Sequence, residues 1–178
     1  MEAVVIFVFF GLYIFIRVLM GGGESAWEKQ AGYHKEGMRL FKARNWEEAD
    51  AYFTQALKKR PLDVLVWIMS GEMALYRGEV EVSLAHGQKA LRMDNTIWQG
   101  HYLMARALQK FEQPEEAVVF ARKAAWFGRN VAETHYLLGS LELELGQVDA
   151  GLQHMLEAYK QGAEEAAPYI RNRKFSES

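Results

Sequence analysis

One regularity constrains this chain more than any other, a spacing of 34 residues. Ala49 and Ala56 stand seven apart on one helical face, and stepping by 34 leads to Ser83 and Ala90, then Ala117 and Ala124, then Gly151 and Ala158. Gly37 leads in the same way to Gly71, Ala105 and Gly139, and Tyr33 to Trp67, His101 and His135. Small residues recur in three columns and rings in a fourth, which marks four copies of one structural unit. Within each copy two stretches of helical pattern are split by a break, at Arg44-Asn45, Gly78, Glu112-Gln113-Pro114 and Gly146. Each break carries a turn former or a residue that starts helices, and Pro114 fits a first helical turn, where its missing N–H is not needed. The units therefore read as helix-turn-helix hairpins. Small residues let the two helices approach, the ring column fills the space between hairpins, and a hairpin that buries too little alone shares a continuous core with its neighbours.

These columns resemble the tetratricopeptide repeat. The first unit, residues 30–63, supplies Tyr33, Gly37, Leu40, Ala49, Phe53, Ala56 and Pro61. The second, 64–97, supplies Trp67, Gly71, Ser83 and Ala90, with Asn95 where the family has proline. The third, 98–131, and the fourth, 132–165, keep the spacing with Ala105 for glycine and Gly151 for alanine. Residues 166–178 start a further first helix, with Tyr169 in the ring column, and then turn polar, as a capping helix and tail would. The fold class expected is all-α: an N-terminal transmembrane helix, an α-solenoid of four repeats and a short C-terminal cap.

The transmembrane expectation rests on "AVVIFVFFGLYIFIRVLM", Ala3 to Met20, whose one charge is Arg17. As a helix it is about 27 Å long, close to the hydrocarbon thickness of a bilayer, and Arg17 can snorkel to the headgroups. Residues 1–20 are thus expected to span a membrane and 21–29, beginning "GGG", to form a flexible linker. A start of "MEAVV" lacks the basic region of a signal peptide. Arg17, Lys29, Lys35 and Arg39 all follow or end the apolar run, which places the N-terminus outside and the repeats in the cytoplasm or the equivalent organellar side.

Several functions are disfavoured. A net charge of −2 leaves no basic face for nucleic acid. The absence of cysteine excludes a thiolate nucleophile and cysteine-ligated metals. Among the five histidines, His101 and His135 stand one repeat apart and His86 and His154 two, the spacing of the repeat and not of a ligand set. No cofactor fingerprint or nucleophile with an oxyanion device stands out, so neither an enzyme, a cofactor nor a small-molecule substrate is expected.

The resemblance implies that first helices line a concave groove, with four or five equivalent places of each unit pointing into it. These are His34, Met38, Phe41 and Lys42 in the first unit and Leu65, Ile68, Glu72, Leu75 and Tyr76 in the second. The third gives Gln99, Tyr102, Arg106, Gln109 and Lys110, and the fourth Glu133, Tyr136, Ser140, Leu143 and Glu144. Such a surface suits an apolar-faced helix or an extended peptide. The Lys and Asn clamp of chaperone-binding repeats is missing, because His34, Met38, Met69, Gln99 and Leu103 occupy its places. Second helices, such as "NWEEADAYFTQALKKRP", are expected to build the convex wall. The function expected is a membrane-tethered scaffold or assembly factor that holds a protein partner, itself membrane-associated. The alternative is a stoichiometric subunit of a membrane complex, in which Gly11 permits close packing of the span against other transmembrane helices.

Overall fold

A computed structural model describes residues 31–176. Ala3–Met20 and the linker 21–29, with the expected span and its Gly11 and Arg17, lie outside the described residues. Among the described residues no helix is long and apolar enough to cross a membrane.

After three helical residues, 31–33, the α-helices are α1 (Lys35–Lys42), α2 (Trp46–Lys59), α3 (Val64–Arg77), α4 (Val80–Met93), α5 (Trp98–Lys110), α6 (Pro114–Phe127), α7 (Ala132–Glu144), α8 (Val148–Lys160) and α9 (Ala167–Ser176), the last preceded by a 3-10 turn, Glu164–Ala166. Second helices begin at residues 46, 80, 114 and 148, and first helices α3, α5 and α7 at 64, 98 and 132, so the helices keep the 34-residue register. Each hairpin packs on the next. First helices also meet directly, α3 with α5 and α5 with α7, and so form the closer-set inner layer of the solenoid.

The turn inside each hairpin is built the same way four times. Arg44, Gly78, Glu112 and Gly146, each 34 residues after the last, all have positive φ, at 58°, 81°, 58° and 73°. The following N–H then reaches back to the carbonyl five residues earlier: Asn45 to Leu40, Glu79 to Ala74, Gln113 to Leu108 and Gln147 to Glu142, at 2.8–3.0 Å. This is a left-handed helix cap, a position glycine takes without strain. Arg44 and Glu112 hold it with a Cβ, at about 1–2 kcal/mol each. Since glycine returns part of that gain as unfolded-state entropy, Arg44→Gly and Glu112→Gly are each expected to stabilise the chain by about 0.5–1 kcal/mol, seen as higher urea midpoints.

The core lies between hairpins. Leu40 of α1, Ala49 and Phe53 of α2, and Leu65, Met69 and Met73 of α3 form one buried cluster; Met104, Leu108, Ala117, Ala121, Leu137 and Leu141 belong to another across α5, α6 and α7. Met155 and Ala158 of α8 pack with Ala163 and Ala166 ahead of the cap. Gly139 and Gly151 touch backbone to backbone: a Cβ on Gly139 would lie 2.9 Å from the Gly151 carbonyl oxygen and 3.1 Å from the Met155 nitrogen.

The ring column does more than fill space. Trp67 Nε1–H donates to the Pro61 carbonyl at 2.8 Å, His101 Nε2–H to that of Asn95 at 2.9 Å, and His135 Nε2–H to that of Arg129 at 3.0 Å. Each ring thus ties its helix to the turn six residues before it. Each also packs on a ring of the second helix, Trp67 on His86, His101 on Phe120 and His135 on His154, with centroids 5.1–6.1 Å apart. Tyr33 departs from the expectation. It is 70% exposed, and His34, one place on, takes the second-helix ring Tyr52 at 5.9 Å.

His101 also carries a pH dependence. Burial depresses its pKa, the Asn95 carbonyl partly opposes that, and Lys123 lowers it further. With Nε2–H given to Asn95, a second proton would go to Nδ1, which is buried without a partner among the described residues. Below the ordinary histidine pKa the unfolded chain therefore binds a proton that the folded chain refuses, and stability falls as pH drops from about 7 to about 5. Urea midpoints at the two ends of that range should diverge less in His101→Phe, which keeps the stack on Phe127 and loses about 1 kcal/mol of hydrogen bond at either pH.

Candidate partner-binding groove

The inner layer holds a cavity of about 300 Å³ lined by Phe41, Trp46, Glu72, Met73, Leu75, Tyr76, Arg106 and Lys110. Four helices contribute. Phe41 comes from the last turn of α1, Trp46 from the first residue of α2, Glu72 to Tyr76 from α3, and Arg106 and Lys110 from α5.

Its walls are aromatic. Trp46 meets Phe41 edge to face at 5.3 Å and leans over Tyr76 at 5.2 Å. Tyr76 is 56% exposed, unlike the buried Met73 and Leu75 on the same helix. Across the cavity the Arg106 guanidinium donates to the Glu72 carboxylate, joining α5 to α3. The Arg106 guanidinium carbon also lies 5.7 Å over the ring of Tyr102, which in turn packs edge to face on Trp98 at 6.0 Å. Burial opposes the Arg106 charge, but Glu72 more than compensates, so its pKa is held above its usual range; burial raises that of Tyr102, with Arg106 opposing. The site is thus a three-ring apolar recess closed by a fixed ion pair, with the exposed Lys110 at its rim. It can take an apolar side chain while offering charge to the backbone or to an acidic neighbour.

Of the residues implied for the groove, Phe41, Glu72, Leu75, Tyr76, Arg106 and Lys110 come together here, and Tyr102 backs Arg106. Others do not. His34 is 4% exposed; its Nε2–H donates to Asp63 at 3.0 Å and its Nδ1 lies 3.1 Å from the Tyr52 hydroxyl, so it is spent on holding the first hairpin. Leu65 and Ile68 are buried in the packing between hairpins, and Met38 packs against the Phe53 cluster. Lys42 is exposed but does not line the cavity. Tyr136 faces the cap instead, edge to face with Tyr169 at 6.5 Å. For Leu65 and Ile68 the physical reason is that α3 packs against α2, α4 and α5, so most of its circumference is core.

Trp46 and Met73 were not expected. Trp46 belongs to a helix assigned to the convex wall, yet its ring crosses the turn to Phe41 and Tyr76. The sequence did carry a signal: at the places 34 apart, 46, 80, 114 and 148, the residues are Trp, Val, Pro and Val, and Trp46 is the one ring. The histidines are used in holding the repeats together, His154 on the buried carboxylate of Glu142 at 2.9 Å. Among the described residues no three His, Asp or Glu side chains are grouped so as to hold a metal ion.

The family model for the tetratricopeptide repeat matches residues 34–96. A thermophilic tetratricopeptide repeat protein of Thermus thermophilus has a similar structure, with a TM-score of 0.69 at 18% identity, covering 86% of this chain and 84% of that one. YrrB, described as a tetratricopeptide repeat protein with an unusual peptide-binding site, has a TM-score of 0.56 at 20% identity over 84% of this chain and 86% of its own. In sequence, 80 residues (44% of this chain) are 28% identical to U-box domain-containing protein 70 of Oryza sativa subsp. japonica, of which they span 10%. The fold is that of a tetratricopeptide repeat solenoid.

Proposed function

We propose that this chain is a membrane-tethered scaffold whose inner cavity holds a segment of a protein partner. The observation that carries the reading is the recess of Phe41, Trp46 and Tyr76 beside the Arg106–Glu72 pair. Tyr76 there keeps a large aromatic surface in water although the neighbouring α3 residues Met73 and Leu75 are buried. An aromatic pocket with a charged rim is the form a hydrophobic anchor residue fits, and the peptide-binding site of the similarly folded YrrB supports a peptide-sized ligand. The tether is the apolar run Ala3–Met20, with the N-terminus outside and the repeats on the side marked by Arg17, Lys29, Lys35 and Arg39. A partner anchored in the same membrane is concentrated in two dimensions, so a modest affinity in the cavity suffices. No catalysis is part of this reading.

Capture from a mild-detergent membrane extract tests it. Trp46→Ala with Tyr76→Ala should lower recovery of the partner by about tenfold or more, the usual loss when an aromatic anchor site is truncated. Val82→Ala, on the exposed outer side of α4, should change nothing. Equal recovery by all three chains would overturn the assignment of the cavity.

A further inference from the structure

At the turn from α2 to α3 the chain reads Lys58-Lys59-Arg60-Pro61-Leu62, and all five residues are exposed. Leu62 is 83% exposed. Tyr33, also in water, lies beneath Arg60, whose guanidinium carbon is 5.2 Å from the ring centroid. Lys59, Arg60 and Tyr33 rim a cavity of about 200 Å³ that reaches in to Tyr52 and His34. Among the described residues none of the three cations takes part in an ion pair, and the nearby carboxylate of Asp63 is buried and held by His34. Cations at the C-terminus of α2 favour the helix dipole, which accounts for Lys58 and Lys59. It does not account for a leucine and a tyrosine left in water beside them.

The position of the patch supplies the reason. It surrounds the start of the first hairpin, and residues 21–30, between Met20 and the described chain, are ten in number and reach at most about 33–36 Å. With Ala3–Met20 in a bilayer, the start of the first hairpin, beside Tyr33 of the patch, is held within that distance of the headgroups, on the side where anionic lipids attract cations.

We infer that Lys58, Lys59 and Arg60 dock the solenoid on an anionic bilayer surface, with Tyr33 and Leu62 entering the interfacial layer. This inference rests on the tether reading. The cations meet lipid phosphates, the tyrosine ring sits at headgroup depth as interfacial aromatics do, and Leu62 buries its side chain. The docked solenoid is oriented as a result. Tyr76 lies twelve residues along α3 from Val64, about 18 Å, so the partner cavity sits at the far end of that helix from the patch.

The chain has no cysteine, so one label can be placed at will. The full chain carrying Leu62→Cys, or Val148→Cys at the start of α8, is labelled with a fluorophore and reconstituted in nanodiscs with a headgroup-linked quencher. The discs hold either phosphatidylcholine alone or phosphatidylcholine with phosphatidylglycerol. Strong quenching is expected at residue 62 in the anionic discs only, with residue 148 unquenched in both. Lys58→Gln, Lys59→Gln and Arg60→Gln together should reduce the docked-to-free ratio on the order of 100-fold, bringing residue 62 to the level of residue 148. Equal quenching at the two sites in anionic discs, or no response to the triple substitution, overturns the docking while leaving the tether intact. A chain that fails to co-purify with any disc overturns the tether itself, and the docking with it.

Discussion

Phe53→Ala is expected to destabilise the chain by about 4 kcal/mol and to lower its melting temperature by roughly 10 °C. Phe53 is wholly buried among Leu40, Ala49, Leu65, Met69 and Met73, and the tip of its ring, beside that of Tyr52, reaches the niche left by the missing side chain of Gly37. No neighbour is free to refill that volume, because α2 is fixed on one side by α1 and on the other by α3. In a stack whose hairpins touch only their neighbours, the damage should stay local. Hydrogen exchange should therefore rise first over residues 35–59, while residues 98–160 keep their protection until global unfolding. Uniform loss of protection would contradict nearest-neighbour stabilisation.

Gly139→Val should cost about 3 kcal/mol for the opposite reason, excess volume. The atoms a Cβ would strike are the Gly151 carbonyl oxygen and the Met155 nitrogen, both backbone, so no rotamer change relieves the clash. The equivalent places one repeat earlier hold Ala105 and Ala117, both fully buried. Ala105→Gly is thus expected to be far milder than Gly139→Val, and thermal melts of the two variants check the contrast.

The architecture was legible because helical hairpins need small residues at fixed places, and Gly37, Ala49, Gly71 and their successors repeat those places without insertion. The hairpin turns were legible at Gly78 and Gly146, and the adjoining Asn45 and Pro114 marked the other two; the positive φ of Arg44 and Glu112 themselves was not legible, since nothing about arginine or glutamate favours it. The donor role of the ring column was hidden in its composition. Trp67, His101 and His135 share a ring N–H, and Tyr33, which lacks one, is the member left outside. The site was half legible. Places along a helix indicate which residues face inward, and they found Phe41, Tyr76 and Arg106. They do not say how deeply a neighbouring hairpin covers each one, which is why Leu65 and Ile68 turned out to be core. Trp46 escaped because its ring crosses a turn, a contact that a rule of helix faces does not describe.

In the proposed function the inner cavity, and not the outer wall, meets the partner. A photocrosslinking residue at Tyr76, compared with one at Val82 on the outer wall, tests this in the full chain within native membranes. A discrete adduct is expected from residue 76, lost with Trp46→Ala, and none from residue 82. The same adduct from residue 82, with none from residue 76, would refute the assignment.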